Sequence, residues 1–201
     1  MSRIRHRDIV ARVNAVKKGG GSAPLPAGET FWSFTLSVET EIAITVQTLD
    51  EAAAPIVWGD GTFDNATHDV EIRHTLAAGS YELKIGTPDN IKSISISGNT
   101  GVGGVIGVAA FTAIQVLAAS GCALDSFDAG SIPATLLDLN VSANSLDAGG
   151  IDTLLEALNN AGGVSGSLDY GLNPGSADEA RSPEGAMAKM LLSGKGWLIV
   201  S

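Results

Sequence analysis

From Glu29 the chain alternates apolar and polar residues with a period of two. Phe31-Trp32-Ser33-Phe34-Thr35-Leu36-Ser37-Val38 and Ile42-Ala43-Ile44-Thr45-Val46 turn successive side chains to opposite faces, which predicts two strands. Ile56-Val57-Trp58, Asp69-Val70-Glu71-Ile72-Arg73 and Tyr81–Ile85 predict three more, with Asp50–Ala54 as a connection. The strand ending at Trp58 runs straight into Gly59-Asp60-Gly61. Asp-Gly favours a turn there, because Gly accepts positive φ and Asp hydrogen-bonds nearby amides. Five short strands at close spacing suit a small sandwich.

After Pro88 the pattern changes to a frame of the form L-x-x-L-x-L-x-x-N, read first at Ile91-x-x-Ile94-x-Ile96-x-x-Asn99. It recurs, weakened, at Phe111-x-x-Ile114-x-Val116-x-x-Ala119, then around Leu137-Asp138-Leu139 with Ser142 in the asparagine slot. It closes at Leu168–Asn173. Markers Ile94, Ile114, Leu137 and Leu168 are 20, 23 and 31 residues apart, the spacing of a repeat that drifts. Gly150–Leu158 predicts a helix with Asp152 near its N-terminus. Ser182-Pro183 predicts the start of another through Ala186–Leu192, and Trp197–Val200 a closing strand. In each rung the apolar residues enter a shared core, and an asparagine in the slot hydrogen-bonds the backbone of adjacent turns.

Ahead of the strands, Ile9, Val13 and Val16 fall on one helical stripe, with Lys17 and Lys18 at its C-terminal end. Gly19-Gly20-Gly21-Ser22, Pro24 and Pro26 read as a linker that stiffens toward the body. Such a segment reads either as a tail or as an anchor that orders on a partner.

Charge sharpens that division. Residues 1–20 carry Arg3, Arg5, Arg7, Arg12, Lys17 and Lys18 against Asp8, a net +5, while the rest has 6 bases and 21 acids, a net −15. An acidic body of that size repels phosphates, so a specific nucleic-acid partner is not expected. No apolar stretch approaches a membrane span, and Arg12 and Asn14 interrupt the only apolar run near the N-terminus before it can act as a secretory signal. Twenty-five glycines suit a turn-rich β architecture, and 5% aromatic residues imply an aliphatic core. The single cysteine, Cys122, forms no internal disulfide and reads as a small buried hydrophobe.

Motifs for chemistry are sparse. H-E-x-x-H, G-x-S-x-G and Walker sequences do not occur, so no catalytic residue, cofactor or metal site is assigned and the chain is not expected to be an enzyme. Gly101–Gly107 imitates a dinucleotide loop but has Ile106 where glycine is needed, and reads as a turn between rungs. Asp60, Asp64 and Asn65 offer oxygens to calcium without EF-hand spacing. Trp58 and Trp197 sit in apolar runs and read as core, while the face of Trp32 stays open.

The order W-G-D-G-T at 58–62, His74-Thr75 and Ala78-Gly79-Ser80-Tyr81 resembles the polycystic-kidney-disease (PKD) repeat, an immunoglobulin-like β-sandwich, with Leu76 where that family has an aromatic. The frames beyond Pro88 are similar to leucine-rich repeats of the BspA-like kind, an arrangement that looks like surface proteins of bacteriophages and prophages. The resemblance implies an α+β, mostly β chain in three parts. These are a basic arm and linker over residues 1–26, an immunoglobulin-like sandwich over 27–88, and a short irregular leucine-rich-repeat solenoid with a C-terminal cap over 89–201. It implies a non-enzymatic virion protein, a capsid decoration or tail component assembled in the host cytoplasm. The arm, through Arg3, Arg5, Arg7, Ile9, Arg12, Val13, Val16, Lys17 and Lys18, would bind other virion proteins, and the modules would face a host-surface glycan or protein or a second copy of the chain. The alternative is a bacterial cell-surface adhesin or carbohydrate-binding module.

Overall fold

The computed structural model describes residues 28–128, 130 and 132–201. The described chain is mostly β, with two mixed sheets and two helices. Six strands come first: β1 (Glu29–Leu36), β2 (Thr40–Thr48), β3 (Ala54–Val57), β4 (Phe63–Ala66), β5 (Ile72–Leu76) and β6 (Gly79–Ile85). Alternation drives them, as in β2, where Ile42, Ile44, Val46 and Thr48 all point inward and are buried. β4 was not expected: Phe63-Asp64-Asn65 is exposed throughout, the pattern of an edge strand that buries only Ala66. The strand expected at Asp69–Arg73 forms later, at Ile72–Leu76, and buries Leu76.

The remaining strands are β7 (Ile91–Ser95), β8 (Val105–Gly107), β9 (Val116–Ala118), β10 (Ser126–Asp128), β11 (Asp138–Asn140), β12 (Ser167–Asp169) and β13 (Leu198–Val200). Helix α1 (Ala148–Ala161) lies between β11 and β12, and α2 (Pro183–Gly194) between β12 and β13. One sheet runs β10-β8-β1-β6-β3-β4 and the other β13-β12-β11-β9-β7-β2-β5. Both sheets therefore run across the 88/89 boundary. Antiparallel pairing of β1 with β8 and of β2 with β7 joins the first six strands to a stack of parallel ones.

In that stack Ser93, Val116, Asp138, Ser167 and Leu198 lie in register, so successive rungs are 23, 22, 29 and 31 residues apart. The longer steps are those that return through a helix rather than a strand. A helix advances about 1.5 Å per residue against about 3.3 Å for a strand, so crossing a similar width takes more chain. Gly101–Gly107, expected as a turn, contributes β8. Gly104 in this run has φ 109°, and a Cβ there would fall on the Ser33 carbonyl of β1.

Register corrects two of the expected frames. The second rung is Ile114-x-x-Leu117-x-Ala119-x-x-Cys122, three residues later than the frame begun at Phe111, and Leu117 pairs with Ile94. The third is Leu136-x-x-Leu139-x-Val141-x-x-Asn144, so Asn144 and not Ser142 fills the slot, and Leu137 is exposed. Asn173 holds the slot of the fourth, as expected.

These slots form a ladder. Asn144 accepts from the Leu124 amide at 3.1 Å and donates to the Ala119 and Val141 carbonyls at 2.7 and 3.0 Å. Asn173 repeats this with the Leu146 amide and the Val141 and Tyr170 carbonyls. Asn99 makes the same bonds to β2: it accepts from the Ala43 amide and donates to the Ala43 carbonyl, both at 2.8 Å, and to Ile96 O at 2.6 Å. Cys122 offers only its thiol, which donates to Ile96 O at 3.1 Å. Burial pushes that thiol's pKa up, against the pull of the Asn99 and Gly98 backbone.

Both helices have side-chain N-caps. Asp147 accepts from the Gly150 amide at 2.7 Å and Ser182 from the Gly185 amide at 3.0 Å, with Pro183 in the first turn. Asp147 thus takes the place that the sequence suggested for Asp152. Asp152 lies farther along α1, buried, and accepts from Arg181 Nη1 at 3.1 Å and the Ser182 amide at 2.8 Å. That ion pair fixes the start of α2 on α1, and the Arg181 side chain is only 2% exposed.

Replacing Asn99 or Asn144 with alanine orphans several buried backbone groups at once. Each variant is expected to lose on the order of 2 kcal/mol or more in chemical denaturation, against under about 1 kcal/mol for Ser142→Ala. Equal losses would return Ser142 to the slot.

Candidate functional site

The W-G-D-G-T run forms the loop of the β3–β4 hairpin, in which Val57 pairs with Phe63 and the Trp58 amide donates to Thr62 O at 3.1 Å. Gly59 adopts φ 86° to make the turn. Asp60 accepts from the Thr62 amide at 2.9 Å and the Thr62 hydroxyl at 2.6 Å. Its other oxygen lies 2.9 Å from Nε2 of His74. Trp58 is fully buried, stacks on the His74 ring at 4.8 Å and 12°, and donates its indole N–H to Asp64 Oδ2 at 2.7 Å.

His74 belongs to β5 and Asp60 to the hairpin beside β4, and β4 and β5 are the terminal strands of the two sheets. The cluster is therefore a clasp that closes one end of the two-layer core. Burial disfavours the Asp60 carboxylate, but hydrogen bonds from Thr62 and His74 outweigh that cost and hold its pKa below the ordinary value.

Thr62, His74 and Asp60 are residue types found in nucleophilic triads, and the geometry is not that of a relay. A relay engages the two imidazole nitrogens with different partners. Here the same Nε2 faces both Asp60 and the Thr62 oxygen, at 2.9 and 3.2 Å, and Nδ1 is 3.9 Å from Asp64. The carboxylates weighed for calcium are likewise engaged, Asp60 with Thr62 and His74 and Asp64 with Trp58. Among the described residues no group of three or more His, Cys, Asp and Glu side chains is placed to hold a metal ion.

The other tryptophans are also interior. Trp32 is fully buried and donates to Gly103 O at 3.2 Å, which settles its face. Trp197 is buried and donates to Gly163 O at 3.2 Å. None of the three offers a face to a sugar. An open groove of about 1030 Å³ crosses the outside of the six-stranded sheet, over Ser33, Thr35, Ser80, Tyr81 and Glu82, with Gly103, Gly104 and Asp125 on one side. Thr35 and Ser80 bond to each other at 2.9 Å on its floor.

The arm residues Arg3, Arg5, Arg7, Ile9, Arg12, Val13, Val16, Lys17 and Lys18 lie outside the described residues. No described helix is long and apolar enough to cross a membrane. The bond from Trp58 to Asp64 was not foreseen, although hairpin pairing of Ile56 with Asp64 brings the two together. The Asp152–Arg181 pair, 29 residues apart in the chain, leaves no local signal.

Comparison with protein-family profiles, curated proteins and solved structures finds no match to this chain.

Trp58→Ala is expected to cost about 3–5 kcal/mol by loss of a buried aromatic. Asp60→Ala is expected to cost less, about 1–2 kcal/mol. Finding Asp60 the more damaging site would reverse the order of core and clasp. Because Asp60 ionises more readily folded than unfolded, its contribution is full above the ordinary carboxylate pKa of about 3.9. It is lost as the pH falls through the lower folded value. Asp60→Asn should flatten the acid limb of a stability–pH curve, and an unchanged limb would refute the assignment.

Proposed function

We propose that the protein is a non-enzymatic structural component of a bacteriophage virion, a capsid decoration or tail protein held by its N-terminal arm. The observation that carries this reading is the division of charge, +5 over residues 1–20 against −15 over the remainder. A basic segment with an apolar stripe at Ile9, Val13 and Val16 suits an acidic partner surface. Charge steers the encounter and the stripe supplies lasting contact, since salt screens exposed charges beyond about 8 Å.

On this reading the body is a display module assembled in the host cytoplasm. Its first six strands form an immunoglobulin-like sandwich of the PKD kind. The parallel rungs form a short leucine-rich repeat of the BspA-like kind, capped by α2 and β13. The engagement of Asp60, Thr62, Asp64 and His74 with their neighbours supports a structural role for the most polar cluster.

A second reading, a bacterial cell-surface adhesin or carbohydrate-binding module, is favoured by the open groove, whose hydroxyls and carboxylates suit a polyhydroxylated ligand. Glycan-array binding that Ser80→Trp abolishes would select it.

Deleting residues 1–22 should leave the melting temperature of the body nearly unchanged and abolish incorporation into particles. Charge reversal at Arg3, Arg5 and Arg7 should slow docking more than it weakens the finished contact. Normal assembly of the truncated protein would overturn the attachment role.

A further inference from the structure

The outer face of the two helices carries apolar side chains that no described residue covers. Met187 and Leu191 stand one turn apart on α2 and are 52% and 44% exposed. With the buried Ala188 they floor a groove of about 440 Å³ between α1 and α2. Apolar residues exposed side by side along a groove between helices suit an amphipathic helix. Among the described residues only two charged ones line the groove, and both are acids: Glu156 on α1 and Glu184 on α2. The cations in and beside α2 are engaged elsewhere. Arg181 pairs with Asp152, Lys189 pairs with Asp178, and Lys195 donates to the Asn159 carbonyl at 2.6 Å.

We propose that this groove is the seat of the chain's own N-terminal arm, with residues 9–17 lying between α1 and α2 as a third helix. At about 100° per residue, Ile9, Val13 and Val16 make a narrow stripe, with Arg12 on one side of it and Lys17 on the other. The stripe covers Met187 and Leu191, and the two flanking cations meet Glu156 and Glu184 on opposite walls. Opposite charge sets the position of the arm and the stripe holds it there. The flexible Met187 side chain adapts to the smaller valines.

The length of the linker fits this seat. Gly28 leads into β1, β8 and β10 follow β1 across the sheet, and α1 packs beside β10. About 5 Å for each strand and about 10 Å for the helix put the groove roughly 25 Å from β1. The nine residues Gly19–Ala27 span at most about 30 Å when extended, enough to bring Lys18 to the groove. A tether of this length holds the arm at a millimolar effective concentration, so a contact too weak to move the melting temperature is still populated. The docking does not rest on the virion reading. On that reading the stripe serves two surfaces in turn, and the partner must draw the arm out of its groove.

A nitroxide on Ala11→Cys, which points away from the stripe, reads the contact in the full chain through paramagnetic broadening of amide signals. Cys122 is buried with its thiol pKa pushed up, so the label spares it. The expected result is loss of intensity at Asn159, Asn160 and Met187–Leu191, with Gly59–Thr62 unaffected. Glu156→Lys/Glu184→Lys should restore the lost signals, as should Arg12→Glu/Lys17→Glu, and all four changes together should broaden them again. Glu156 and Glu184 are exposed, so their reversal leaves the fold intact. Nitroxide-bearing chains mixed with isotope-enriched chains that carry no label should leave the enriched signals sharp. Absent or uniform broadening, broadening that survives either reversal, no return of it in the fourfold variant, or broadening between copies would each overturn the proposal. Failure to enter particles would count against the attachment role and leave this contact standing.

Discussion

The architecture depends on one side-chain amide. β2 pairs with β7 only as far as Thr45 opposite Ser95, and beyond that β7 has ended while β2 continues to Thr40. The Ala43 amide and carbonyl on that side would be left without a strand partner. Asn99 supplies both a donor and an acceptor in the place of a peptide group, and its third bond, to Ile96 O, ties the turn to its own rung. Buried backbone groups are costly to orphan, so this amide lets an antiparallel sheet become a parallel one without a gap. The later rungs repeat the device against one another, so that β2 serves the first rung as each rung serves the next.

Cys122 shows how far the device tolerates change. A thiol donates but is a weak acceptor, and it cannot receive an amide as Asn144 receives that of Leu124. The corresponding amide, Gly101 N, instead reaches the main-chain carbonyl of Cys122 at 3.3 Å. Burial of the thiol follows from this slot and not from a need for apolar filling alone. Reading Cys122 as a small hydrophobe was sound about its burial and blind to its place in the ladder.

That blindness explains the slipped frames. Phe111, Ile114 and Leu117 are apolar at intervals of three, so a frame of this form fits at Phe111 or at Ile114, and only a recognised slot residue separates the two. Leu136 and Leu137 are adjacent leucines of which one is buried and one exposed, a choice fixed by pairing with β9 and not by local pattern. The strands with strong alternation, the turn at W-G-D-G-T, both helices and the capping of α2 were legible because local chemistry sets them. β4 was not, since a polar edge strand has no periodicity. The clasp was half legible: Asp60 could be assigned to its turn, but the stacking of His74 on Trp58 joins two sheets and depends on the closed fold.

β1 lies in the interior of its sheet, between β6 and β8, and Gly28 leads directly into it. This has a mechanical meaning for the attachment through the N-terminal side proposed above. Tension entering at Gly28 acts along β1, and it must shear the ladder to β6, which extends from Glu29 to Leu36, together with the contacts to β8. A strand at the margin of a sheet would unzip one bond at a time, whereas a strand flanked on both sides shares the load among many bonds at once. A pull applied at Gly28 thus meets the sheet where many bonds must break together.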